Sequence, residues 1–229
     1  MFDFFPFWNS LRIAAISTVI IFFLGIFLAY YISKLPRVAK GLLDVILTLP
    51  LVLPPTVCGF FLVIIFGNKS PIGQFLNNVG FPFFMNWRGA ILCSVMVAFP
   101  LMYRTTRGAF EAFDDDLGNA GKTLGLSNIY IFWRIRIPYC KNGLIAGLVL
   151  AFARAIGEYG ATSMFVGYIQ GKTATISTAV YNYWTINRND MAFLWVGINI
   201  VISVVVLLAV NLFEGKKGGT KRVHKGASL

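Results

Sequence analysis

Apolar and polar positions divide this chain into long uncharged runs joined by short, strongly polar connectors. Residues 13–32, 45–66 and 191–213 contain no Asp, Glu, Lys or Arg. Each reaches the roughly 20 apolar residues that a helix needs to cross a bilayer. Residues 89–103 form a shorter run, which Arg88 or Arg104 can extend by reaching to the headgroups. Residues 143–165 are apolar except for Arg154 and Glu158. The pattern predicts an all-α, polytopic transmembrane bundle with five spans, at about 10–32, 43–66, 88–106, 143–165 and 191–213. These form one domain over 1–213, with a basic tail at 214–229. A hydrophobic content of 57% excludes an ordinary soluble domain of 229 residues.

Charge orients the bundle. Lys34, Arg37 and Lys40 follow the first span, Arg104, Arg107, Lys122, Arg134, Arg136 and Lys141 follow the third, and Lys216, Lys217, Lys221, Arg222 and Lys225 end the chain. Together they hold most of the 20 basic residues, whereas the alternate loops carry only Lys69, Arg88, Lys172 and Arg188. Short basic loops stay cytoplasmic, so the expectation is a plasma-membrane protein with its N-terminus outside and its C-terminus inside. The net charge of +11 segregates by loop, so it reads as a topology signal and no nucleic-acid partner is expected. No cleavable signal peptide is expected, because the first residues lack a basic segment and the first apolar run is long enough to span. Phe2, Phe4, Phe5, Phe7 and Trp8 fit an interfacial aromatic belt.

Two spans carry unusual residues. The second contains Pro50, Pro54 and Pro55, which remove backbone donors and predict a bent or broken helix. Such a helix either lines a transport pathway or merely tolerates a kink. In the fourth, Arg154 and Glu158 lie four residues apart on one helix face beside Gly157, Gly160 and Ala161, which permit close helix approach. The pair either fixes bundle packing or offers Arg154 to a passing anion. In the 67–88 loop, Ile72, Phe75, Leu76 and Val79 predict a short helix, either shielding the bundle or lying over the mouth of a pathway.

The connector 108–141 is the most informative. Asp114, Asp115 and Asp116 offer caps and favourable charge to a helix N-terminus, and Leu117, Ala120, Gly121 and Leu124 fall on one face. Gly125 ends that helix, Ser127 caps a second, and Pro138 marks where the second is expected to stop. The sequence Asn119-Ala120-Gly121, three residues, Gly125, nine residues, Ile135, one residue, Ile137-Pro138 resembles the cytoplasmic EAA loop of ABC importer membrane subunits. That loop has Glu, Ala and Leu where this chain has Asn119, Gly121 and Ile137. The resemblance implies a type I ABC importer permease fold in which Asn119, Ala120, Gly121, Lys122, Thr123, Leu124, Gly125 and Leu126 dock into a separate ATPase. Residues 49–59, 152–165 and 171–181, the last with Thr173, Thr175, Ile176 and Ala179, further resemble the molybdate permease branch, with sulfate and tungstate permeases as relatives.

By that resemblance the partners are a cytoplasmic ABC ATPase, an extracytoplasmic oxyanion-binding protein, a second copy of the chain and membrane lipid. ATP and Mg would sit on the ATPase, and this chain would bind no cofactor. The triplets Gly121-Lys122-Thr123 and Gly171-Lys172-Thr173 lack the glycine five positions earlier that a phosphate-binding loop needs. His224 is the single histidine, which removes histidine-based zinc sites and triads, so no enzyme is expected. Cys58, Cys93 and Cys140 have no metal or redox spacing and are expected to pack in helices. The rival readings are a channel or secondary transporter without an ATPase and a membrane scaffold without transport.

Overall fold

The computed structural model describes residues 3–215; Phe2, His224 and the tail from 216 onward lie outside them. Among the described residues there are eleven α-helices and no strand. α1 (Phe5–Ser33), α5 (Trp87–Glu111) and α8 (Ile137–Ile156) pack on one another at the centre. Their seam is rich in small residues, among them Ala14, Ala29, Ala98, Ala151 and Ala155, all buried. Small side chains let membrane helices approach closely enough for dispersion forces to hold them without a hydrophobic driving force between them.

α1 starts at Phe5, earlier than the expected residue 10, because Asp3 accepts the Phe5 N–H at 2.9 Å and Pro6 suits the first helical turn. The aromatic belt residues Phe5, Phe7 and Trp8 are therefore helical. The second span is broken, as the prolines predict. α2 (Arg37–Val52) and α3 (Pro55–Phe66) meet at 111°. Leu53 precedes Pro54 and Pro54 precedes Pro55, and both adopt the extended conformation (ψ 143° and 135°) that a following proline imposes. Among the described residues four continuous helices are long and apolar enough to cross a membrane, five if the bent pair is taken as one span.

The fourth span departs from expectation at both ends. Pro138 does not stop the preceding helix. α7 (Asn128–Ile131) runs through a π-helical turn (Phe132–Arg136) directly into α8, and the wider turn absorbs the proline's ring and missing donor. The helix then ends at Ile156 rather than 165, and Gly157 to Tyr159 lead into a separate short helix, α9 (Gly160–Phe165).

α4 (Pro71–Asn78) is the short helix foreseen in the 67–88 loop, capped by Ser70, which accepts the Gly73 N–H at 2.9 Å. α10 (Ile176–Thr185) was not foreseen. Its start is a capping box between Thr175 and Thr178, and Ile176 and Ala179 pack on Trp195 of α11 (Asn189–Gly215). The N-terminus of α1 ties that region down: Asn9 Nδ2 donates to the Ala174 carbonyl and Ser10 Oγ accepts the Ile176 N–H, both at 2.9 Å. At the opposite end of the bundle, ion pairs from Lys40 to Glu111 and from Arg136 to Asp115 gather the basic connectors.

Candidate functional site

The basic end presents α6 (Asp115–Thr123), and local chemistry fixes both of its limits. Asp114 Oδ1 accepts the Asp116 N–H at 2.9 Å, and Asp115 and Asp116 place negative charge in the first turn. At the far end the Leu126 N–H bonds to the Gly121 carbonyl at 3.1 Å and the Gly125 N–H to the Lys122 carbonyl at 2.9 Å. This is a Schellman closure, which requires the left-handed Gly125 (φ +75°). Ser127 then opens α7 by accepting the Tyr130 N–H at 3.2 Å.

One face of α6 is seated on the bundle. Gly118 and Gly121 are buried, and a Cβ on Gly121 would lie 3.1 Å from Ile131 Cγ1 and 3.4 Å from Ile135 Cδ1. An alanine at 121 would need those isoleucine side chains to give way by a few tenths of an ångström. Arg136 holds Asp115 at 3.3 Å and lies over the Phe113 ring at 4.4 Å. Leu117, Ala120 and Leu124 face away, with Leu124 79% exposed. The apolar stripe read from the sequence is thus split, with Gly121 at its inner edge and the other three offered outward. Asn119, Lys122 and Thr123 are also exposed, and Leu126 is half-buried.

A second site forms where the two broken helices meet. α3 and α9 are in close contact: a Cβ on Gly59 would lie 2.7 Å from the Ala161 carbonyl oxygen, and one on Gly160 would lie 2.8 Å from Pro55 Cβ. The obstacle is backbone at Gly59 and the rigid proline ring at Gly160, so glycine is required at both positions. Arg154 and Glu158 do pair, with Arg154 Nη1 2.6 Å from Glu158 Oε2. Glu158, however, lies beyond the end of α8. Its Oε1 accepts the Ala161 N–H at 2.7 Å, so one carboxylate caps α9 and neutralises an arginine. The Glu158 side chain is 2% exposed and that of Arg154 30%, which leaves the arginine partly open; Gly157 and Pro54 are exposed. Pro50, in the last turn of α2, is half-buried.

Sequence reasoning missed a charged cluster joining α2 to α5. Arg107 pairs with Asp44 and, at 3.1 Å, with Glu111; Lys40 pairs with Glu111, and the Tyr103 hydroxyl donates to Asp44. The signal was present: Lys40 and Asp44, and Arg107 and Glu111, are each four residues apart with opposite charge. Cys58, Cys93 and Cys140 are free and buried. Gly121-Lys122-Thr123 lies within the last turns of α6, and Gly171-Lys172-Thr173 in a turn where Gly171 has φ +71°.

Several helices long and apolar enough to cross a membrane, a broken pair joined to them through α5 and α9, and a capped helix presented at a basic end are the architecture of a multi-pass membrane subunit. Residues 21–217 match the family described as binding-protein-dependent transport system inner membrane component, and the chain belongs to that family as a permease subunit. It is 38% identical over 199 residues to a putative molybdenum transport system permease protein of Bacillus subtilis, covering 86% of this chain and 88% of that one. It is 42% identical over 173 residues to the molybdenum transport system permease protein ModB of Escherichia coli, covering 75% and 76%. A sulfate transport system permease protein of Synechococcus elongatus is 31% identical over 219 residues, covering 94% and 75%. Among solved structures, a bacterial ABC transporter for alginate matches with a TM-score of 0.74 at 17% identity, covering 93% of this chain and 79% of that one. The MetNI methionine ABC transporter matches with 0.69 at 13%, covering 92% and 94%. The fold is that of type I ABC importer permeases.

Proposed function

We propose that this chain is the molybdate-conducting subunit of an ATP-driven importer and that it works as a homodimer. The observation that carries the coupling half of this reading is α6, seated by Gly118, Gly121 and Asp115 while Leu117, Ala120 and Leu124 stay uncovered. An apolar knob rigidly tied to the bundle is what a separate motor needs to grip. The partner is a cytoplasmic ABC ATPase that holds ATP and Mg, docks on residues 119–126, and leaves this chain without a cofactor of its own. The basic end is cytoplasmic by the positive-inside rule, which puts the N-terminus outside. An external binding protein delivers the anion to the opposite end.

Up to five crossings among the described residues are few to enclose a route, so symmetric pairing along the pathway is the economical assembly. Pro50, Pro54 and Pro55 of the broken span, with Arg154, Gly157, Glu158 and Gly160, border the pathway. Glu158 holds Arg154 in place, so the guanidinium guides an anion without trapping it. Closure of the two ATPases on nucleotide moves the docked α6 helices together, rotates the bundles and opens the route outward, and hydrolysis resets it. This is a two-state switch biased from a distant site.

Molybdate as cargo is supported by the relatives at 38% and 42% identity, both molybdenum transport system permease proteins by name. Uptake of labelled molybdate, tungstate and sulfate by cells lacking the chain, with and without its restoration, tests this. Restored molybdate uptake that depends on the ATPase supports the reading. Restored sulfate uptake alone would reassign the cargo in line with the 31% relative, and uptake without an ATPase would replace the importer with a channel or secondary transporter.

A further inference from the structure

Two cavities at the basic end meet at one lysine. The first is an apolar groove of about 640 Å³ between the last three turns of α1 and the start of the α7–α8 helix, walled by Phe23, Leu24, Phe27, Tyr31 and Trp133. The second is a polar pocket of about 530 Å³ lined in part by Lys34, Lys40, Lys122 and Arg136, beside α6. A smaller cavity of about 100 Å³ joins them, sharing Tyr30, Lys34, Asn128 and Phe132 with the groove and Lys122 and Arg136 with the pocket. Lys34 lines all three and rests with its Nζ 3.7 Å from the centre of the Tyr30 ring.

The charges in the pocket do not balance internally. Glu111 is engaged by Lys40 and Arg107, and Asp115 by Arg136. Among the described residues no carboxylate pairs with Lys34 or Lys122. A pair of ammonium groups without a carboxylate partner, on the bundle side of α6 and at the mouth of an apolar groove, is complementary to one kind of molecule, an amphiphile with an anionic head. From Phe23 to Lys34 the groove runs about 16 Å along α1, at about 1.5 Å per residue. That is about the depth of one leaflet of a hydrocarbon core roughly 30 Å thick. A soluble ATPase docked on α6 does not reach Phe23 or Leu24, which lie well inside a membrane-crossing helix.

We propose that this groove and pocket form a binding site for one anionic phospholipid. Its acyl chain lies against Phe23, Leu24, Phe27 and Trp133, and its phosphate sits between Lys34 and Lys122. The headgroup then touches α6 directly, and the docking helix senses the composition of the membrane around it. The site stands whatever anion the chain carries, because lipid retention is read separately from uptake.

The test uses the full chain in nanodiscs of phosphatidylcholine containing a minor fraction of phosphatidylglycerol, with retained lipid counted by native mass spectrometry. The wild type retains phosphatidylglycerol in preference to phosphatidylcholine. Lys34→Gln lowers that preference about fivefold, the worth of one basic residue at an anionic surface. Leu24→Trp, which fills the groove and leaves every charge in place, lowers it as well, and Arg37→Gln, in the same connector but outside all three cavities, does not. No preference in the wild type, or an unchanged preference in Lys34→Gln or Leu24→Trp, would overturn the proposal. So would displacement of the lipid by inorganic phosphate that binds Leu24→Trp equally well, which would make this a free-anion pocket. Disulfide formation between two copies of Leu24→Cys in native membranes would also overturn it, by showing that a second copy covers the groove.

Discussion

α6 and the α3–α9 pair are both built from short helices bounded by sharp breaks, yet opposite forces hold them in place. α6 owes its limits to its own sequence: Asp114 caps one end and Gly125 closes the other. Its ties to the bundle run along one face, leaving Leu117, Ala120 and Leu124 free. α3 and α9 are held by close packing, with Gly59 against the Ala161 backbone and Gly160 against the Pro55 ring, and by a carboxylate that is almost completely buried. The first arrangement can be altered on its outer face without disturbing the fold. The second cannot, and that difference separates an open face from a packing joint.

The largest effect expected is at the joint. Arg154→Met strands the buried Glu158 carboxylate and costs about 3–5 kcal/mol, read as a lower thermal unfolding midpoint in detergent. Glu158→Gln costs less, because the Arg154 side chain is 30% exposed and so less desolvated than the almost fully buried Glu158. Equal losses from the two substitutions would mean that the pair does not sit in the asymmetric burial seen here.

Gly59→Val comes next. Its Cβ would sit 2.9 Å from the Ala161 Cα, so the helices must separate, at a cost of up to about 3 kcal/mol. The same thermal midpoint measures it, and an unchanged value would show that α3 and α9 have room to move apart.

Gly125→Val has a smaller stability effect, about 1–2 kcal/mol for a β-branched residue in the left-handed region. Nothing lies within 4 Å of a Cβ there, so the strain is confined to the Schellman closure. The expected readout is loss of uptake per ATP hydrolysed, since α6 loses its fixed direction. Gly125→Asn, which tolerates that conformation, retains coupling. Uptake per ATP unchanged in Gly125→Val would remove the closure from the coupling path.

What the sequence revealed follows the same division. The caps of α6 and the extended residues before Pro54 and Pro55 depend on near neighbours, so Asp114, Gly125, Ser127 and the prolines announced them. The passage of the helix through Pro138 depends on a π turn that no residue signals by itself. The end of α8 at Ile156 depends on Glu158 finding the N-terminus of α9, so a run that reads as one apolar span breaks in two. The inward turn of Gly121 depends on Ile131 and Ile135 across the loop. The cluster of Asp44, Arg107, Lys40 and Glu111 lies between: each helix carries its half at the right spacing, and only tertiary structure joins them.

The central claim is that the outward face of α6 is the grip through which a separate ATPase drives the bundle. Leu124→Asp in the intact transporter tests it most directly, by the amount of ATPase that copurifies with the permease at a fixed thermal midpoint. The account predicts that Leu124→Asp folds as the wild type does, because Leu124 is 79% exposed, while retained ATPase falls about 30-fold, as for a hot-spot contact worth about 2 kcal/mol. A variant that keeps its full complement of ATPase and imports normally would contradict it.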